Sequence, residues 1–270
     1  MNKGTLHKMD IRNIGSENQI KADYSMILNN EHLPLNSLIG KHLNIHFAGN
    51  IYCIKCGRKT SKSFGQGYCY PCFTSAPETE ECVLRPELCK AHLGEARDMA
   101  FAKEHCLIDH FVYLAWSGGL KVGITRYHQI PTRWLDQGAT KAIKVCRTAN
   151  RNMAGLVEVE LKKILADKTN WQAMLKGLEN SDIDLRDEKA KAVKFLSEKN
   201  LSFTIEEDVE YTIQYPIQQY PEKVKSFSFD KEATMEGTLT GIKGQYLIID
   251  NSRVLNVRTH SGYEVEVVVK

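Results

Sequence analysis

No stretch of this 270-residue chain approaches the ~20 consecutive apolar residues that a membrane-spanning helix needs. Internal repeats and low-complexity tracts are missing as well, which excludes solenoids and compositionally biased linkers. The first fifteen residues, MNKGTLHKMDIRNIG, hold no continuous apolar segment of the secretory type, so a cytoplasmic protein without membrane partners is the expectation. Net charge is only +3, which names no partner by itself. What is present is ordinary for a folded protein: 42% hydrophobic and 26% charged residues exclude wholesale disorder. The length allows two domains, each with a sizeable core.

The eight cysteines are unevenly placed, seven of them between Cys53 and Cys106. In a reducing compartment such density favours thiolates held by metal over disulfides. Cys53-Ile54-Lys55-Cys56 and Cys69-Tyr70-Pro71-Cys72 are two Cys-x2-Cys knuckles separated by twelve residues. Each knuckle aims two sulfurs at one point, and two knuckles complete a tetrahedron around Zn²⁺. Gly57, Gly65 and Gly67 suit the tight turns that wrap such an ion. The spacing therefore predicts a zinc ribbon. A second zinc site is expected from Cys82, Cys89, His92 and Cys106, with His105 as a competing nitrogen. The opposing reading of that segment is buried thiols with His92 at the surface. Cys146, in the alternating stretch Ala142–Cys146, is expected to face a core.

Along the chain, residues 1–50 read as short strands, 51–110 as the zinc-binding segment, 111–200 as an α/β domain and 201–270 as a C-terminal β-domain. The N-terminal strands are too few to bury a face alone, so they are expected to pair with the C-terminal ones in a small barrel or sandwich. Phe111–Trp116 and Leu120–Thr125 predict a hairpin turning at Ser117-Gly118-Gly119. A short helix is expected over Pro131–Gln137, a third strand over Ala142–Arg147, and a helix over Met153–Ala166. That helix would carry an apolar stripe of Leu156, Val157, Leu161, Ile164 and Leu165. Trp171–Leu178 extends the helical region, and Asp187–Lys199 reads as a polar, exposed helix. Trp134 and Trp171 are expected in the core. Gln66–Tyr68 and Lys243–Tyr246 read as exposed glycine turns.

Between Phe111 and Lys163, nine lysines and arginines stand against three carboxylates, a net of +6. A basic block beside a zinc ribbon is the footprint of a protein that touches phosphate, and nucleic acid is the expected partner. The opposing reading is a solvated face of mixed charge.

The order Phe111-Val112-Tyr113, Lys121-Val122-Gly123, Arg133 on a helix and Ala154-x3-Glu158 on a later helix resembles the GIY-YIG nuclease domain over roughly residues 111–166. The resemblance implies an α+β chain in which a nuclease-like domain sits between a zinc ribbon and a flanking β-domain. It also implies Tyr113, Arg133, Glu158 and Lys121 as site residues, with a Mg²⁺ or Mn²⁺ ion at Glu158 and one cleft that gathers them. Such a trio suits phosphodiester hydrolysis: a carboxylate for the cation, a guanidinium for the phosphate and a phenol beside the water. Lys121 replaces the family's second tyrosine. Gln137 stands where a histidine often follows the arginine, with His128 or Tyr127 as stand-ins, and Asn170 falls at the late polar position. The plainer accounts are an Arg133–Asp136 pair at i, i+3, a Glu158–Lys162 pair at i, i+4 and a Tyr113 that only packs.

The whole chain further resembles a bacterial family known as domain of unknown function 2797. The residues that carry this are Leu33–Leu35, Ser63–Cys72, Leu120–Arg126, Gln129–Ala139, Asp167–Trp171 and Gly241–Tyr246. Two functional expectations follow: a metal-dependent endonuclease, or a catalytically silent DNA-, RNA- or ribosome-associated module. A zinc-built protein scaffold is a third.

Overall fold

Residues 20–28 show how the sheets are built: Ile20, Ala22, Tyr24, Met26 and Leu28 are buried while the residues between them are not, the period-two pattern of a strand with one face in a core. The structure, a computed structural model, describes residues 2–165, 170–177 and 183–270. The strands of the first half are β1 (Asn2–Thr5), β2 (Asp10–Asn13), β3 (Gln19–Leu28), β4 (Glu31–Pro34), β5 (His42–Tyr52), β6 (Lys59–Thr60), β7 (His110–Trp116), β8 (Leu120–Arg126) and β9 (Lys141–Thr148). Those of the second are β10 (Thr204–Ile205), β11 (Glu210–Gln214), β12 (Lys225–Phe227), β13 (Thr234–Lys243), β14 (Tyr246–Ile249), β15 (Arg253–Asn256) and β16 (Tyr263–Val269). The helices are α1 (Tyr70–Ser75), α2 (Met99–His105), α3 (Thr132–Asp136), α4 (Arg151–Leu161), α5 (Trp171–Leu175) and α6 (Leu185–Ser197).

The chain is a mixed α+β protein with two sheets. One, ordered β1-β16-β5-β13-β14-β15-β12 with β6 beside β5, joins strands from both chain ends. The other, ordered β2-β3-β11-β9-β7-β8 with β4 on β3 and β10 on β9, is the central sheet. Both faces of β7 are covered. Tyr113 and Ala115 belong to the large core that also holds Trp134 and the residues of the terminal sheet. Val112, Leu114 and Cys146 face the opposite way, onto Ala154, Val157 and Leu161 of α4 and Ala192 and Leu196 of α6.

Several expectations are corrected. β2, β3 and β4 do not join the terminal sheet, and β10 and β11 are not part of it either; all five extend the central sheet. β9 offers them an open edge on the side away from β7, and β11 fills it while presenting Tyr211 and Ile213 to the core. The helix over 185–197 is not simply exposed: it buries Leu185, Ala192 and Leu196, and Lys189 Nζ donates to the carbonyls of Glu206 and Glu207. The stripe narrows to Val157 and Leu161 on α4 and Leu165 just beyond it, since Leu156 and Ile164 are exposed. Lys243–Tyr246 is an interior turn, with Lys243 and Gln245 buried, because it docks on the end of α3. Ala166, Asp167–Thr169 and Leu178 lie outside the described residues.

Candidate functional site

The two Cys-x2-Cys knuckles meet. The sulfurs of Cys53, Cys56, Cys69 and Cys72 all lie within 4.8 Å of one another, and Cys56 Sγ is 3.9 Å from Cys69 Sγ. Four thiolates bound to Zn²⁺ at about 2.3 Å would stand roughly 3.8 Å apart, so the donor set fits that ion. None of the eight cysteines is in a disulfide. Backbone N–H donation from Arg58 pulls the Cys56 thiol down to about 6, which favours the thiolate a metal requires.

The second cluster is smaller than expected. The sulfurs of Cys82, Cys89 and Cys106 converge within 4.8 Å, but neither His92 nor His105 belongs to the group. His92 sits exposed in a short 3-10 turn. His105 Nδ1 donates to the Phe101 carbonyl at 3.0 Å and the ring stacks on the Phe101 ring, as its place one turn along α2 dictates. Three thiolates remain able to hold zinc, with its fourth position left to another donor. The Arg151 guanidinium lies beside Cys89 and Cys106 and donates to the carbonyls of Cys82 and His105, so a cation compensates the gathered sulfur charge.

The residues carrying the nuclease resemblance also gather, though not in the manner that resemblance requires. Tyr113, Lys121 and Glu158 each lie within electrostatic reach of Arg133. Tyr113 is 0% exposed and donates its hydroxyl to Gln137 Oε1 at 2.8 Å, and burial raises its pKa. Gln137, at the position of a proton relay, is therefore the partner that fixes this phenol. Lys121 is 5% exposed; burial, then the Arg133 charge, pushes its ammonium down to about 7. Glu158, 8% exposed, is raised by burial and lies 3.5 Å from Lys162 on the next helical turn. It offers a divalent cation one carboxylate that is already ion-paired, and among the described residues the only converging groups of three or more metal donors are the two cysteine clusters. Tyr127 and His128 are exposed and pack edge to face on each other, and Asn170 caps α5 by accepting from Ala173 N.

Lys121 yields a prediction. Between pH 7 and 10.5 the unfolded chain binds a proton that the folded protein lacks, so stability should rise with pH across that window. Lys121→Met removes the buried ammonium and should flatten this rise while stabilising the protein at pH 7 by about 1–4 kcal/mol. Urea midpoints at pH 7 and 10 measure both effects; an unchanged slope refutes the assignment.

Only Arg133 of these four reaches the neighbouring cleft. A cavity of about 260 Å³ is lined by Lys8, Val83, His110, Ile124, Thr125, Arg126, Gln129, Thr132, Arg133, Asp136, Arg151 and Arg258. The chain positions behind it span 250 residues, and four regions contribute: the N-terminal segment, the cysteine-rich segment, the central sheet with α3 and α4, and the turn after β15. Four of the lining residues are arginines. The one carboxylate, Asp136, is held by Lys8 and accepts from Gln245 Nε2 at 3.0 Å. It does not pair with Arg133, and among the described residues Arg126, Arg133 and Arg258 form no salt bridge. The turn at Gly244 sets this floor: a Cβ there would come within 3.1 Å of the Asp136 carbonyl, and Gln245 also bridges to Met9. Burial lowers the pKa of both Arg126 and Arg258, so these two charges are partly desolvated and strongly felt within the cavity.

Two of the lining residues carry a buried atom with no hydrogen-bond partner among the described residues, His110 Nε2 and Thr125 Oγ1. Leaving such atoms unpaired costs about 1–3 kcal/mol each. Burial, opposed by the Ile108 carbonyl, brings His110 down to about 4. Sequence reasoning missed Lys8, His110 and Arg258: each is a single polar residue at a strand or turn boundary, with no spacing that marks it.

Fold and site together define a mixed α+β protein with two thiolate clusters able to hold zinc and a cationic cavity lined by residues of the central sheet, α3, α4 and both ends of the chain. The chain belongs to the family described as protein of unknown function (DUF2797), which matches residues 40–265. No curated protein and no solved structure matches it.

Proposed function

We propose that this protein binds zinc at its cysteine clusters and nucleic acid at its arginine-lined cavity, through phosphate. The observation that carries this is the convergence of Arg126, Arg133, Arg151 and Arg258 on one cavity whose single carboxylate is already paired. Guanidinium groups present fork-like donors that match phosphate oxygens, and gathering four of these cations around one cavity without an anion would be costly. The cysteine-rich segment serves this site as a wall, with Val83 on the lining and Arg151 linking it to the Cys82–Cys89–Cys106 cluster. The order of hairpin, α3, β9 and α4 supports a nuclease-like domain at the centre, used here for binding.

Hydrolysis is the second reading, favoured by the buried group of Tyr113, Lys121, Arg133 and Glu158, because several perturbed ionisable groups in one place often mark chemistry. Three of those four lack a face on the cavity, which favours binding. The test is retention of radiolabelled DNA and RNA as a function of salt. Arg133→Ala with Arg258→Ala should weaken binding at least tenfold and reduce the salt slope by about one, for the one phosphate they share, while Glu158→Ala leaves binding unchanged. Retention that ignores both arginines overturns the proposal. Cleavage in Mg²⁺ or Mn²⁺ that Glu158→Ala abolishes would establish the second reading instead.

A further inference from the structure

Arginines explain the charge of the cavity and leave its two buried neutral atoms unexplained. His110 is 1% exposed and Thr125 is 5% exposed, and both line the cavity. The imidazole is oriented: His110 Nδ1 lies 2.8 Å from the Ile108 carbonyl, which can only accept, so Nδ1 carries the hydrogen. Nε2 is then a lone-pair acceptor, buried without a partner on a residue that lines the ligand space. A fully ionised phosphate has no hydrogen to give it. A hydroxyl adjacent to that phosphate does.

Resting on the phosphate-binding reading above, we infer that the cavity seats a ribonucleotide unit of RNA, with its phosphate among the arginines and its 2′-hydroxyl donating to His110 Nε2. At about 260 Å³ the space sits at the small end of ligand pockets, enough for one phosphorylated sugar and too little for a duplex. Thr125 Oγ1, on the strand position before Arg126, is placed to donate to the same phosphate. The imidazole keeps its acceptor character at neutral pH because burial and the charges of Arg151 and Arg126 oppose its protonation. The 2′-hydroxyl is the group by which a protein separates RNA from DNA at a single nucleotide, so the cavity selects RNA through one neutral atom in a cationic setting.

The test uses the zinc-loaded full chain and three single-stranded oligonucleotides of one sequence, each blocked by a 3′-phosphate: RNA, DNA and 2′-O-methyl RNA. Fluorescence anisotropy should show RNA bound about tenfold more tightly than the other two. His110→Phe, which keeps a flat ring and removes the acceptor, should erase that preference, so that RNA binds no more tightly than DNA to the variant. Should His110→Phe fail to fold, the 2′-O-methyl arm on the native protein still decides the matter. Equal affinity for all three strands overturns the inference, as does an RNA preference that survives 2′-O-methylation or His110→Phe. Failure of the phosphate reading itself is distinct: none of the strands binds, or binding ignores Arg133 and Arg258.

Discussion

Cys69→Ser should release one zinc ion per chain and unfold the segment from Cys53 to Ser75. The four sulfurs of this cluster already lie within 4.8 Å of one another, with 3.9 Å between Cys56 and Cys69, close to what a tetrahedral site demands. Little else holds the segment. α1 buries none of its residues, Tyr70 and Phe73 are exposed, and β6 contributes only two residues to a sheet edge. With so small a core, a bound metal would be the main source of local stability, and structural zinc in isolated finger peptides supplies about 10–16 kcal/mol. Elemental analysis should find the loss of one zinc in Cys69→Ser and of another in Cys89→Ser. Hydrogen exchange should lose protection across 53–75 in the first variant alone. Chelation of the native protein should reproduce both losses. Full metal content with native exchange in Cys69→Ser would show that these thiols are merely neighbours.

Gly155→Ala should destabilise the protein, the reverse of what this change does in an ordinary helix. Replacing an interior helical glycine by alanine normally gains about 1 kcal/mol. Here a Cβ would sit 2.2 Å from Glu87 N and 2.5 Å from the Pro86 carbonyl carbon, and backbone cannot rotate aside. α4 and the turn at Pro86–Leu88 must separate, at a cost of about 1–3 kcal/mol. The contacts beside the glycine belong to the site. Asn152 Nδ2 donates to the Glu87 carbonyl at 2.8 Å, and Arg151 donates to the Cys82 carbonyl. Moving the turn therefore displaces Val83 and Arg151 from the cavity, and nucleic-acid affinity should fall along with the melting temperature. Gly119→Ala is the control, since nothing lies within 4 Å of a Cβ there and neither property should change. A Gly155→Ala protein as stable as the native one would refute this account of the interface.

Which features were legible in the sequence follows from how local their causes are. The hairpin of β7 and β8 was readable because a glycine turn separates two alternating runs, and Gly118 does adopt a positive φ of 70°. The knuckles were readable because two residues between cysteines is itself a geometric statement. The helix over 185–197 misled because its buried face consists partly of Lys189, a lysine whose charge is satisfied by carbonyls and by Asp208 at 2.6 Å from another part of the chain. The turn at Lys243–Tyr246 misled for the same reason: glycine and polar residues suggest solvent, yet Gln245 is buried by bonding to Met9 and Asp136. His92 had suitable chemistry and spacing, but a helical turn carries it outward.

The sequence by itself determined the strand and helix periods, the cysteine knuckles and the excess of positive charge, because each depends on residues close together along the chain. Only the tertiary structure decided that Arg126, Arg133, Arg151 and Arg258 share a cavity, that Tyr113 is sealed from it and that His110 is among the residues lining it. Those facts rest on how strands from both chain ends and a metal-compatible segment pack around one sheet. Packing is set by the summed burial of many side chains, and no spacing within a short stretch encodes it.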